Sequence, residues 1–501
     1  MGKRKNVLLV IAAALCMIVP ASSLCIADDS GSPPPDPPVQ KDWAVYIFCG
    51  ADNDYEEAAM FALDQCVKGM QAAEGVQKDG TDPISVHVLM YLDAQGNGDT
   101  KVYEVTSEGA EPVDLMTESE YDSSSEATLV EFLGEAMVHY PGDSTMLIVK
   151  NGHAWCGVCS DWSSQDEKYL MPVNGLASAL MDPVVTENGG VDVIALDGDN
   201  MASIEVVYEL RNACDYFVGS QQDVPLDGLP YYLFLRDLAS ETVVPGAAEV
   251  AESIVNNYVL YYNNTDGKKI QLDHLLSDSD MAVTASAFEM NPEGGSIEDV
   301  VLAFNACIDW MMTKTVDVEG VKDPCPWASV YRNVISSARD TALIGKMGDQ
   351  AGYEWLPDVY TWLVKIVEYY QLEESYPYLS EISGLVTDFT DEFNRTLVDM
   401  EQCQILNRSG NSYPHGLNIW FPPSWVQWES LDNSRSRTYL YDGSNVDLPA
   451  EYYCVDCPLD YASIDLDFVA DTLWMDFFGL YYDSRWTIYG NPDAPRSTPL
   501  W

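Results

Sequence analysis

Three short segments of this chain bring together residue types that could do chemistry. Met146-Leu147-Ile148-Val149 is an apolar run that ends in Lys150-Asn151-Gly152-His153. Val193-Ile194-Ala195-Leu196 is a second, ending in Asp197-Gly198-Asp199-Asn200. A further acid, Asp227, precedes Gly228. A histidine such as His153 can act as a general base if it lies within hydrogen-bond reach of the proton it takes. The bland reading of His153 is a structural or loop residue. Paired carboxylates in a cleft can hold a Lys or Arg side chain through charge-assisted hydrogen bonds, although Asp is equally at home as a helix cap or turn residue. The Asp197-x-Asp199 spacing is also that of a carboxylate nucleophile in Mg2+-dependent phosphoryl transfer, but it sits deep in the chain without that chemistry's usual context.

Other clusters admit metals or disulfides. Asp52-Asn53-Asp54 offers the oxygens that Ca2+ takes, so Ca2+ at Asp52 and Asp54 is the cofactor the sequence could accommodate. Solvated acids favoured by a helix dipole are the simpler account. Cys156/Cys159 and Cys454/Cys457 are two CxxC pairs. Outside the cytoplasm such cysteines are expected as disulfides, and a four-sulfur zinc site would need the fold to join two distant pairs. The five histidines make no HExxH, and there is no Walker loop, Gly-x-Ser-x-Gly elbow or Gly-x-Gly-x-x-Gly after a strand.

The elements that must position these residues alternate. Trp43 to Cys49, Ile84 to Leu92, Thr145 to Val149, Val191 to Leu196 and Tyr216 to Gly219 read as strands. Tyr55 to Ala73, Ala127 to His139 and Met201 to Asn212 have helical spacing. This order predicts an α/β fold, a three-layer α/β/α sandwich with a mainly parallel sheet over 43–240. In such sheets chemistry sits past the carboxyl ends of the strands. Residues 241–402 read as a mostly helical region. Residues 403–501 read as a mixed α/β region, rich in Tyr, Trp and Pro, that completes the fold.

At the two strand ends the chain resembles the clostripain-like cysteine peptidases, peptidase family C11 of the caspase–gingipain clan. There an apolar strand ends in His-Gly and a second ends in Asp-Ala-Cys, followed by a helix like Met201 to Leu210. Trp43 to Phe48 with Asp52-Asn53-Asp54, Pro225 to Tyr231, Gly416 to Pro422 and Tyr461 to Phe477 are similar to further family segments in the same order. The resemblance implies a caspase/gingipain-like fold and a thiolate nucleophile partnered by a His. It also puts Asp197 and Asp227 in an acidic substrate pocket. Aligned on the motif, however, Asp199 stands where the nucleophilic Cys belongs and Asn151 where the His belongs. His153 is the fallback base. Neither Asn151 nor Asp199 can do the family's chemistry in those places.

Composition narrows the partners. The chain has 501 residues, 80 of them acidic and 25 basic, for a net charge of −55. That sign excludes a Lys/Arg-driven nucleic-acid binder and favours basic peptides and cations. At 47% hydrophobic the chain can bury a core. Residues 1–27 read as a signal peptide, with Lys3, Arg4 and Lys5 before an apolar stretch, and 28–42 as a Pro/Ser-rich linker. No later segment has the length and apolarity of a transmembrane anchor. Together these predict a secreted or cell-envelope protein. The leading expectation is a catalytically degenerate member that binds a peptide or polycationic ligand in the former substrate cleft. The alternatives are an active endopeptidase cutting after Arg or Lys with a rearranged dyad, and a structural envelope protein.

Overall fold

The structure is a computed structural model and describes residues 38–53, 55–76, 82–153, 157–162, 170–262, 283–315, 328–346, 356–371, 378–403, 405–407, 414–421 and 466–481. In chain order the elements are β1 (Lys41–Gly50), α1 (Glu56–Glu74), β2 (Val86–Asp93), β3 (Lys101–Thr106), β4 (Gly109–Val113), α2 (Glu126–His139), β5 (Gly142–His153), β6 (Gly157–Ser160), β7 (Leu170–Met171), α3 (Val173–Leu180), α4 (Pro183–Thr186), β8 (Val193–Asp199), α5 (Ile204–Glu209), β9 (Tyr216–Gly219), α6 (Tyr231–Ala239), α7 (Ala247–Tyr262), β10 (Val283–Glu289), α8 (Ile297–Thr315), α9 (Ala328–Ala342), β11 (Ile344–Lys346), α10 (Val359–Gln371), α11 (Leu379–Thr396), β12 (Leu397–Cys403), β13 (Ile405–Asn407), α12 (Asp467–Asp471) and α13 (Trp474–Tyr481).

The central strands are apolar on both faces because both faces are covered. Along β1, Ala44, Tyr46 and Phe48 pack into one core, while Trp43, Val45, Ile47 and Cys49 pack into the other. The first core takes in α2, α3 and α5, and the second α1, α6 and α7. Leu147 and Val149 of β5, and Ile194 and Leu196 of β8, repeat the first set; Met146, Ile148, Val193 and Ala195 repeat the second. Burying each Val, Leu, Ile, Met or Phe of these sets contributes roughly 1.5–3 kcal/mol. The result is the expected three-layer sandwich.

The main sheet runs β12-β10-β9-β8-β5-β1-β2-β3-β4, with β6 and β7 branching from β5. The pairs β2–β1, β1–β5, β5–β8 and β8–β9 are parallel. Both flanks are antiparallel. From β1 the chain winds outward to β2 on one side, and β5, β8 and β9 build the other. The order therefore reverses between β1 and β5, and in open α/β sheets that reversal opens a crevice at the strands' carboxyl ends.

Three features differ from the sequence expectation. The region 241–402 is not only helical, because β10 and β12 extend the main sheet. Val283–Glu289 hides its strand character behind Thr284 and Ser286, which are 1% exposed. Their hydroxyls are used inside, Thr284 Oγ1 accepting from Gln221 N at 2.9 Å and Ser286 Oγ donating to Gly416 O at 2.8 Å. The helix expected over 201–212 is shortened to α5, with Ser203 as its cap, Oγ accepting from Val206 N. The β3–β4 hairpin adds an edge that the sequence reading left out.

Candidate functional site at the carboxyl ends of the strands

Lys150 and Asp197 are direct register partners on β5 and β8. Each lies two residues past an apolar pair, Ile148 and Ala195, on the face covered by α1, α6 and α7. The Lys150 ammonium meets Asp197 Oδ2 at 2.8 Å, and the two side chains are 6% and 0% exposed. Tyr231 Oη donates to the same oxygen at 2.7 Å, and Leu229 N donates to Asp197 Oδ1 at 3.0 Å. A buried ion pair tolerates desolvation only when its remaining lone pairs are satisfied, and here both carboxylate oxygens are. Burial and the neighbouring Asp197 hold the Tyr231 phenol well above its ordinary pKa, so it stays a donor. Its ring also lies 5.6 Å from the ammonium, within cation–π range.

The second predicted acid, Asp227, is 3% exposed and accepts from Tyr261 Oη at 3.0 Å. Tyr262 Oη donates to Gly228 O at 2.7 Å. Gly228 has φ +74°, and a Cβ there would fall 2.4 Å from Asp197 Oδ2 and 2.5 Å from Lys150 Nζ. The Asp227-Gly228 turn is thus pressed against the ion pair, and only glycine fits. The structure gathers Asp197 and Asp227 in one chamber, and it fills that chamber with Lys150, a residue to which the sequence reading gave no role. The signal available was a lone lysine ending an otherwise apolar strand, in a chain with few bases.

One step further out, β5 and β8 lose phase. Lys150 pairs with Asp197, but the next pair is His153 with Asp199, so β5 spends one residue more than β8. This bulge is built from Asn151 at φ +78° and from Gly198, whose missing Cβ would lie 2.6 Å from Gly152 N. Bulges re-aim chains next to functional sites. Here the bulge brings the backbone of His153 level with Asp199. Asn151 Nδ2 donates to Gly50 O at 3.3 Å, across to the end of β1. Asp199 is partly exposed and its Oδ1 accepts from Val224 N at 2.7 Å. Burial in the site, with Asp197 nearby, raises its pKa above the usual carboxylate range.

The described thiols near this site are buried. Cys159 is 0% exposed and its Sγ donates to Lys150 O at 3.5 Å. Burial drives its pKa, and that of Cys66, far above the free-thiol value, and pushes Cys49 up to about 12. Reactive cysteines have depressed values. The structure places no two described cysteines at disulfide distance; Cys156, Cys454 and Cys457 lie outside the described residues, and so does the expected pairing.

A different set of acids from the expected one is gathered at the end of β2. The carboxylate oxygens of Asp93, Asp99 and Glu120 lie within 4.8 Å of one another, an all-oxygen arrangement of the kind hard divalent cations take. Asp93 is 0% exposed, its Oδ1 accepting from Thr100 Oγ1 and its Oδ2 from Ser123 Oγ, each at 2.6 Å. Burial pushes its pKa up to about 7 against the pull of those two hydroxyls. Asp52 is buried beside this group and its charge acts on Asp99, while Asp54 is outside the described residues.

The segment 414–421 runs beside the chain that follows β8. Asn418 bridges Ser203 on one side and Asp358 on the other, and buried Asp358 accepts from His415 N at 2.7 Å and Thr361 N at 2.7 Å. Among the described residues no helix is long and apolar enough to cross a membrane.

Comparison with known proteins agrees with this architecture. The model of the clostripain family matches residues 45–413. A secreted C11 cysteine protease from Bacteroides thetaiotaomicron, "iotapain", is 13% identical over 76% of this chain and 94% of its own, with a TM-score of 0.50. An inactive zymogen C11 protease from Parabacteroides distasonis is 19% identical over 77% and 93%, with a TM-score of 0.49. A second secreted C11 protease structure from B. thetaiotaomicron, in complex with an irreversible peptide inhibitor, is 19% identical over 76% and 93%, with a TM-score of 0.48. A search of curated protein sequences found no match. With the family pattern running through the strands that carry Lys150 and Asp197, through the turn that carries Asp227, and on past β12, the chain belongs to the clostripain family.

Proposed function

We infer that this is an exported member of the clostripain family that does not hydrolyse peptides but binds them in the crevice at the strand ends. One observation carries the reading: Asp199, aligned with the family's nucleophile, is a carboxylate held by Val224 N. Acyl transfer needs an activated nucleophile and a base within reach. Asn151 at the base position does not titrate, and the described thiols nearby are buried and protonated. The crevice where strand order reverses between β1 and β5 supports retained ligand binding, and membership of a peptidase family makes peptides its fitting ligand class. The apolar N-terminal stretch behind Lys3, Arg4 and Lys5 supports export.

Purified protein incubated with chromogenic Arg, Lys and neutral peptides, with and without Ca2+ and reductant, should release no product. Turnover that a thiol alkylator abolishes would overturn the silent reading. Calorimetric titration with a peptide library should give saturable binding weakened by substitutions around Asp199; a flat titration across the library would remove the peptide-binding half.

A further inference from the structure

We propose that the chamber around Asp197 is a cation-recognition site kept filled from within by Lys150, so that Lys150 decides what the crevice selects. The proposal rests on the peptide-binding reading for its ligand and on the chamber geometry for everything else.

The chamber has the chemistry of a binding site for an alkylammonium or guanidinium group. Asp197 presents an oxygen at 2.8 Å from the cation, buttressed by Tyr231 Oη and Leu229 N. The Tyr231 ring supplies a π face, and the Asp227-Gly228 turn closes the far wall. What occupies it is not a ligand but a strand residue. Lys150 is held in register between Cys49 on one side and Asp197 on the other, so its backbone cannot withdraw without opening the centre of the sheet. The ammonium is therefore a fixed occupant, not a swinging gate. An incoming Lys or Arg side chain finds the acid already neutralised and the space taken. Peptides must be chosen by contacts elsewhere in the crevice, and a basic residue gives no advantage.

Lys150→Ala removes a propylammonium-sized group and should turn the chamber into an external site. Thermal unfolding of K150A should be restored by n-propylammonium in the millimolar range and not by n-propanol, with the wild type indifferent to both. Equal responses to the amine and the alcohol would overturn the proposal. If K150A is recovered only as aggregate, refolding yield becomes the readout: rescue by the amine alone supports the proposal, and equal failure with both additives overturns it. K150M/D197N, which lacks both charges, should not respond to the amine. Peptide titration adds the specificity arm. Wild type should bind Arg-, Lys- and norleucine-containing peptides within about twofold of one another, whereas K150A should prefer the basic ones by at least tenfold. A tenfold basic preference in the wild type would sink the idea. Absence of peptide binding in both proteins would remove the peptide-binding reading, while the amine rescue still decides the chamber's chemistry.

Discussion

Two strand ends of one sheet bury carboxylates in opposite ways. At the end of β8, Asp197 is matched by the Lys150 ammonium, a phenol and a backbone amide. At the end of β2, Asp93 is just as buried but is held by two hydroxyls, with Asp161 and Glu120 nearby and no Lys or Arg partner among the described residues. Paired with a cation, a buried acid can stay charged. Without one it takes up a proton more readily, which is why the Asp93 carboxyl is pushed up to about 7. In a chain with 80 acids and 25 bases, placing one of the few lysines beneath Asp197 marks that site out from its neighbour.

The sharpest way to break the comparison is to remove the cation. Lys150→Met keeps the volume but leaves Asp197 buried and unpaired, and should cost about 3–5 kcal/mol in chemical denaturation. K150M/D197N should recover most of that loss, and a K150M loss under about 1 kcal/mol would mean that the pair contributes little. Gly228→Ala attacks the same pair from the turn. A left-handed Cβ pressed onto the carboxylate and ammonium should cost roughly 2–4 kcal/mol, seen as a lowered denaturation midpoint.

The Asp93 side is tested with pH. Its folded pKa lies above the unfolded value of about 3.9, so the native state holds more protons and its stability falls as pH rises from about 4 to about 7. The contribution is full below the unfolded value and gone above the folded one. Asp93→Asn should flatten that slope and be roughly 1–3 kcal/mol more stable than wild type at pH 8, a tenfold change in proton affinity corresponding to about 1.4 kcal/mol. An unchanged slope in denaturation curves from pH 4 to 8 would contradict the assignment. Ser123→Ala should have the smallest effect, about 1 kcal/mol, and should move the pH midpoint upward because a hydroxyl that favours the charged form is gone.

Much of the fold was legible because it depends on local pattern. The two-sided apolar strands β1, β5 and β8 announce themselves by composition, and Tyr216–Gly219 and Ala247–Tyr262 fall where the sequence reading put them. β10 and β12 were not legible. A strand with buried Thr284 and Ser286 looks polar until the partners that satisfy those hydroxyls are known. At the site, the residue types of Asp197 and Asp227 were visible in the sequence, and their shared burial was not. Lys150 was not identifiable, because its significance lies in a cross-strand partner 47 residues away. The acids at the end of β2 were missed for the same reason: Asp93, Asp99 and Glu120 form no sequence motif.

By itself, the sequence determined the alternation of strands and helices, the excess of acid and the residue types at the ends of β5 and β8. These follow from side-chain chemistry and from periods of two and 3.6 residues that any chain must obey. Only the tertiary structure decided what those residues do to one another. Sheet register set Lys150 opposite Asp197, and a one-residue bulge then brought His153, not Asn151, level with Asp199. Register is a global property, fixed by how all the strands and both cores pack at once, and a shift of one residue would send every side chain to the other face.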